Sequence, residues 1–422
     1  RPVSVTLILI GVAIYIVASL VVAYMSRSGE AATMSEYFIG GRSMGGLVSA
    51  LSYSATTYSA FMMVGLAGLT YKGGVGALGF EIVYFAGVSL VAIFGPRFWA
   101  VGKKFGFVTP SEMLGARYGS RWVAMAAAVA SCIGYLLAGM SDGAISFGAG
   151  IIVATVLAIA FSYIAGIRSV MWTDSLQALV MIVASVAVVG FVVAELGGFT
   201  ALFDAVAERN PAMLTVPGPG LFSFTTFLGL TIPWFFFAIS NPQVSQRLFM
   251  PASLGALRRM LMIFLAFGFV YTLVSVLWGF SAYVAFPDLA NADLATSTLL
   301  ASDFVPPVLG VVVMVGILAA AVATIDSILL TLSSMVARDV YANVATRTDD
   351  RKQLMIGKVI IPIISLIALG FAAMQFSLIA VLAVAASTGL VVIVPAIVGA
   401  FFWKRGTAAG ALASIVGGGI FV

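Results

Sequence analysis

The chain has 422 residues, of which 62% are apolar and only 9% charged, against roughly 25% charged in soluble domains, and its formal net charge is +5. With a mean hydropathy of +1.15 it has no room for a sizeable soluble domain. It contains no histidine, so imidazole cannot act as base, relay or metal ligand, and the lone Cys132 admits no internal disulfide.

Apolar runs of about 20 residues, each long enough to cross a bilayer, recur along the whole chain. In chain order about twelve spans are expected, near 5–25, 47–69, 77–99, 121–140, 146–166, 173–196, 224–240, 260–286, 306–336, 354–374, 377–402 and 407–422. The first is too long for the apolar region of a signal peptide, and none is expected. Two spans are broken at their middles by polar, helix-unfriendly runs. One is Ser52-Tyr53-Ser54-Ala55-Thr56-Thr57-Tyr58-Ser59; the other is Ser240-Asn241-Pro242-Gln243, after Trp234-Phe235-Phe236-Phe237. Lipid-exposed backbone cannot leave N–H and C=O groups unpaired, so such breaks face protein or a water-filled cavity. Paired breaks in two halves of a chain point to the binding site of a secondary transporter built on inverted repeats. The competing reading is a pair of hydroxyl-rich helix-packing faces.

Counting five spans from each break places a first repeat at 45–196 and a second at 224–403. Residues 1–30 then form a flanking transmembrane helix, 197–223 an external loop, and 404–422 the start of a C-terminal flanking helix. The expected fold class is therefore an all-α polytopic membrane protein with a five-plus-five inverted-repeat core whose first and sixth core helices are discontinuous.

The basic residues orient it. If the segment after the first span is cytoplasmic, 18 of the 21 Lys and Arg residues fall on that side, including Lys103, Lys104, Arg247, Arg258 and Arg259; only Arg1, Lys72 and Arg209 fall opposite. That is the positive-inside bias of a cell (inner) membrane protein, and it makes the basic charge a matter of topology rather than of nucleic-acid binding. The 283–306 loop holds Asp288, Asp293 and Asp303 without Lys or Arg and belongs outside.

Several ordered stretches resemble the solute:sodium symporter family, whose members carry solutes such as proline, galactose or sialic acid. They are Phe38-Ile39-Gly40-Gly41-Arg42-Ser43, Ala55-Thr56-Thr57-Tyr58-Ser59 with Gly65-Leu66-Ala67-Gly68, and Trp172-Thr173-Asp174-Ser175-Leu176-Gln177. Asn241-Pro242-Gln243-Val244-Ser245-Gln246-Arg247 follows, then the run from Ile317 to Ser327 with Ser333-Ser334 and Arg338-Asp339-Val340-Tyr341. The resemblance covers roughly 36–405. It implies the inverted-repeat transporter fold and Na⁺-coupled uptake of a small solute.

Ala320, Ala323, Thr324, Ser327, Thr331 and Ser334 recur at three or four residues and share one helix face. Such a stripe admits a close neighbour and offers oxygen donors to a hard cation, though on its own it also reads as a packing seam. The resemblance implies a shared Na⁺ site from the carbonyls of Ala55, Tyr58 and Ala320 and hydroxyls at 323 and 324. Here Ala323 has no hydroxyl and Thr324 alone keeps one, a loss that weakens or abolishes binding there. Four carboxylates fall within spans, Glu81, Asp142, Asp174 and Asp326, and intramembrane acids are functional candidates by default. Asp174, Asp326 and Ser327 match a second cation site in some members; a neighbouring pair of carboxylates holds either a cation or a proton. The competing roles are an N-cap for Asp174, a hydroxyl partner for Asp326 and a helix cap for Asp142.

For the solute, Thr57, Tyr58, Ser59, Glu81, Trp234, Phe237 and Asn241 are the expected lining residues. Glu81 resembles a sugar-contacting position in the family, but the other sugar-contacting positions are not kept. The aromatic run 234–237 also suits lipid or core. No Lys or Arg is expected deep in a core span, so an anionic group would rely on free N–H groups at the breaks. A small amino acid such as proline, or a small carboxylate, fits better than a sugar. No phosphate loop, metal cluster or nucleophile–histidine pair is present, so an enzyme is not expected. The expected coupling ion is Na⁺, with H⁺ or uncoupled transport as alternatives; the expected partners are a small-molecule solute and the lipid bilayer, and a monomer suffices. The rival classes are the membrane module of a sensor and a channel.

Overall fold

Without water in the hydrocarbon to pair backbone groups, apolar runs of this length must close their hydrogen bonds internally, and they fold as helices. The computed structural model describes residues 3–26, 33–139, 149–219, 223–372 and 379–421. α1 (Val5–Ser26) buries only Tyr15, Ser19 and Ala23, a stripe at helical spacing, and leaves the rest of its apolar surface exposed, as a lipid-facing helix does. α2 (Met34–Ile39) starts at a capping box, Thr33 with Glu36. α3 (Gly46–Thr57) ends at the first break; a π-helical stretch, Phe61–Leu66, then runs into α4 (Ala67–Gly73). α5 (Leu78–Phe105), α6 (Pro110–Tyr118) and α7 (Arg121–Gly139) follow.

α8 (Ala149–Glu195) joins two expected spans. The loop anticipated near 167–172 is a kink at Gly166, where φ is 64° and ψ −160°. A side chain there would place its Cβ 2.6 Å from the Tyr37 carbonyl oxygen, so glycine serves both the positive φ and the close approach. α9 (Gly198–Arg209) lies in the expected external loop, and α10 (Phe224–Ser240) reaches the second break. α11 (Pro242–Ser245) and a 3₁₀ turn, Gln246–Phe249, complete that helix. Then come α12 (Leu254–Ala285), α13 (Ala295–Ala301) and α14 (Pro307–Met335), the last continued by a π turn, Val336–Tyr341, and α15 (Ala342–Val344). α16 (Asp350–Ala372), α17 (Ile379–Val391), α18 (Val394–Phe402) and α19 (Ala408–Phe421) finish the chain.

Among the described residues, seven helices are individually long and apolar enough to span a bilayer. The other expected spans are the first broken helix and the shorter apolar segments in α7, the front of α8, α17–α18 and α19.

Three helices form the centre. α14 packs along α8, α8 along α3, and α14 also touches α3; α12 covers α3, α10 packs on α5, and α1 docks outside on α8 and α14. The two broken helices meet where α11 touches α3. At Gly87 a Cβ would lie 2.0 Å from the Phe235 carbonyl oxygen, so the α5–α10 contact is made backbone to backbone.

Candidate functional site

The first break is short. Tyr58 leaves the helix at φ −91°, ψ 67°, its N–H still donating to Ser54 O at 2.7 Å, and Ser59 Oγ accepts from the Phe61 N–H at 3.1 Å as the chain re-enters helix. Because α3 stops at Thr57, the donors that would serve the carbonyls of Ala55, Thr56 and Thr57 lie beyond its last turn. At the second break Asn241 is extended. Its carbonyl accepts from the N–H groups of Val244 and Ser245 at 3.1 and 2.9 Å, while Pro242 occupies the first helical position, where no N–H is needed.

Thr57, Tyr58, Ser59, Glu81, Trp234, Phe237 and Asn241 are all buried. Trp234 points inward: its indole stacks on Phe61 at 5.4 Å and sits 4.9 Å from Phe237, with Tyr84 edge-on to both. The lipid-facing option for Trp234 is thereby excluded. Glu81 accepts a long hydrogen bond from Thr272 of α12, at 3.5 Å. α12 also brings Phe264, Phe267 and Tyr271 around the Tyr58 ring, at 5.1, 6.1 and 6.1 Å. Tyr58 can lie there because position 268 is glycine, where a Cβ would sit 1.9 Å from the phenol oxygen. Sequence reasoning missed this wall. The signal was present, since 264, 267 and 271 recur at three and four residues, but α12 reads as an unbroken apolar span. Among the described residues the hydroxyls of Tyr53, Thr56 and Tyr58 are buried without a hydrogen-bond partner. Polar atoms in that condition call for water or a polar solute.

On the ion side, Ala55, Tyr58 and Ala320 line one small cavity of about 10 Å³, room for a single water-sized sphere. Thr324 Oγ1 donates to Ala320 O at 3.0 Å, which leaves its lone pairs free to accept. Ala323 is buried, and its carbonyl accepts from Ser327 Oγ at 2.8 Å. Further along the stripe, Thr331 donates to Gln246 Oε1 at 3.0 Å, and Gln246 Nε2 donates to Ser334 Oγ at 3.0 Å and to Val108 O at 2.8 Å. That half of the stripe is a packing seam closed by an amide.

Arg247 corrects the reading that no cation lies deep in a core span. It is 2% exposed, because the chain resumes helix after Asn241 and carries it into the interior rather than into a loop. Its guanidinium lies 3.5 Å from Asp174 Oδ2 and donates to Ser327 Oγ at 2.8 Å, to Ser52 Oγ at 3.4 Å and to Gln243 O at 3.1 Å. Ser52 also donates to Asp174 Oδ2 at 3.1 Å. A fixed cation thus stands among Asp174 and Ser327, two of the three residues expected to share a mobile one. Asp326 is buried, and Tyr15 of α1 lies within electrostatic reach of both Asp174 and Asp326. Asp142 lies outside the described residues.

Many candidate spans, two broken helices and a buried polar site where they meet are the architecture of a multi-pass membrane transporter. The profile of the Sodium:solute symporter family matches residues 37–418. The chain belongs to that family, and its activity is Na⁺-coupled solute symport. It is similar to the sodium/pantothenate symporter of Escherichia coli, at 26% identity over 94% of this chain and 85% of the relative. It is similar also to the sodium/proline symporter of Haemophilus influenzae, at 27% identity over 92% and 82%. A solved structure described as the substrate-bound outward-open state of a Na⁺-coupled sialic acid symporter has the same fold. Its TM-score is 0.78 at 18% identity, with 98% of this chain and 97% of that one covered.

Proposed function

We propose that the protein imports a small carboxylate-bearing solute, an amino acid such as proline or a small organic acid, by alternating access driven by Na⁺. The observation that carries this is the meeting of both breaks with an aromatic-walled, partly unsatisfied polar pocket. The positive dipole ends of half-helices at the breaks suit a carboxylate, and Glu81 with the Tyr58, Trp234 and Phe237 faces suits an amine. Arg247 does not serve as the anion receptor, since Asp174 neutralises it. Proline and pantothenate, named for two relatives, both carry a carboxylate.

In this reading Thr57, Tyr58, Ser59, Glu81, Trp234, Phe237 and Asn241 hold the solute. The carbonyls of Ala55, Tyr58 and Ala320 and the hydroxyl of Thr324, beside Ala323, hold Na⁺. Asp174, Ser327 and Asp326, with Arg247 among them, form the inner seal below it rather than a second sodium cage. Residues 45–196 and 224–403 act as the two repeats that rock about the site, the α8 kink marking a joint inside the first. The test is uptake into proteoliposomes of proline, pantothenate and galactose, each with an inward Na⁺, K⁺ or proton gradient. Na⁺-dependent uptake of a carboxylate-bearing solute supports the proposal; galactose uptake, or uptake driven by protons and indifferent to Na⁺, overturns it.

A further inference from the structure

We propose that Gln177 is a sodium ligand, its side-chain carbonyl oxygen taking the coordination position that alanine at 323 leaves without a hydroxyl. The proposal rests on the shared-site reading above. Gln177 lies on α8, the helix packed against both α3 and α14, which carry the carbonyls of that site. It lines the small cavity together with Ala55, Tyr58 and Ala320. It also lines a larger, mostly apolar cavity of about 270 Å³ between α1, α8 and α14, and so forms part of the wall between the two.

The amide has a fixed orientation. Gln177 Nε2 donates to the Tyr15 hydroxyl of α1 at 3.3 Å, which turns Oε1 away from Tyr15. That oxygen is buried and, among the described residues, accepts no hydrogen bond. A buried amide oxygen without a donor carries the full desolvation cost of the group, and a cation in the adjoining space removes it. The chemistry matches, because an amide oxygen is a neutral hard donor like the backbone carbonyls around it. Met181 and Phe267, which also line the small cavity, carry no hydrogen-bond donor, and neither tyrosine hydroxyl of its lining, Tyr58 or Tyr271, makes a hydrogen bond to Gln177 Oε1. Three helices would then close on one ion, and Tyr15 would hold the Gln177 ligand in place.

The experiment is a Na⁺ titration of the thermal stability of the purified full chain, without solute and at constant ionic strength in K⁺; a ligand that binds the folded state raises stability by mass action. Gln177→Leu is expected to weaken apparent Na⁺ affinity by about tenfold or more, the scale of a lost hydrogen-bond-like contact to a charge. Adding Ala323→Ser to Gln177→Leu is expected to recover most of that loss, because the new hydroxyl supplies the missing oxygen. If Thr324→Val weakens Na⁺ binding while Gln177→Leu does not, the shared site stands and Gln177 is not a ligand. If neither changes it, the shared-site reading fails and takes this proposal with it. Should Gln177→Leu not fold, Gln177→Glu decides: it keeps the shape and adds charge, so Na⁺ binding must tighten, and unchanged affinity overturns the assignment.

Discussion

Arg247 and Asp174, 2% and 1% exposed at their side chains and 3.5 Å apart, are each tolerable in the interior because of the other. An unpaired charge at this depth is costly, and breaking a buried pair by removing one partner typically costs about 3–5 kcal/mol. Asp174→Asn is therefore expected to lower stability by about 3 kcal/mol or more, since Arg247 keeps its charge without a counter-ion. Combining it with Arg247→Leu should recover part of the loss. Thermal unfolding in detergent checks this, and strictly additive losses would show that the two are not coupled. At the proposed ion site Thr324→Val removes the side-chain oxygen while conserving shape, so Na⁺ affinity should fall about tenfold or more; Ala323→Ser adds one and should tighten it. Na⁺ binding measured without solute separates these effects from transport, and wild-type affinity in both variants would move the ion elsewhere.

At the scale of elements, the broken helices work because neighbouring helices are shaped to receive them. α12 has glycine where Tyr58 crosses it, and Gly268→Ala would drive a methyl group into the phenol. The ring must then turn out of the aromatic wall, so solute binding is expected to weaken by about a kcal/mol or more with only a modest fall in melting temperature. Equilibrium binding of the transported solute to the purified variant tests this; unchanged affinity would place the solute away from Tyr58. The second half-helix is where span reading is least informative. Its residues Gln243, Gln246 and Arg247 look like a loop by composition, yet each is buried: Gln246 bonds Val108 O and Thr331 and Ser334 of α14, and Arg247 bonds Ser52 of α3, Ser327 of α14 and the Gln243 carbonyl. Helix ends near the basic face are tied similarly. Arg338 Nε donates to Glu112 Oε1 at 2.9 Å, and Nη1 reaches Asp350 at 3.3 Å and Gln353 at 2.9 Å; Thr109 donates to the buried Asp339 at 2.6 Å. The partly exposed Arg338 pairs contribute little singly and act as a cross-brace together.

For the whole molecule, the basic residues make a testable claim about sidedness. In a Cys132→Ala background, a cysteine at exposed position 288 should react with an impermeant thiol reagent in intact cells, and one at exposed position 104 should not. The reverse pattern would invert the topology. Composition and hydropathy alone determined the class, the approximate spans and the places where two of them open, because a bilayer allows a chain so few ways to satisfy its backbone. The ordered motifs carried the family, and with it the residues around Ala55, Tyr58, Ala320 and Thr324. Tertiary structure alone decided which helix walls Tyr58, that Trp234 turns inward, that the loop expected at 167–172 is a kink at Gly166, and that Arg247 stands beside Asp174. The physical reason is that span length and charge bias are local sums along the chain. The partner of a buried charge or amide is chosen instead by helices far apart in sequence, such as α3, α8, α11 and α14, which meet only when the whole bundle has packed.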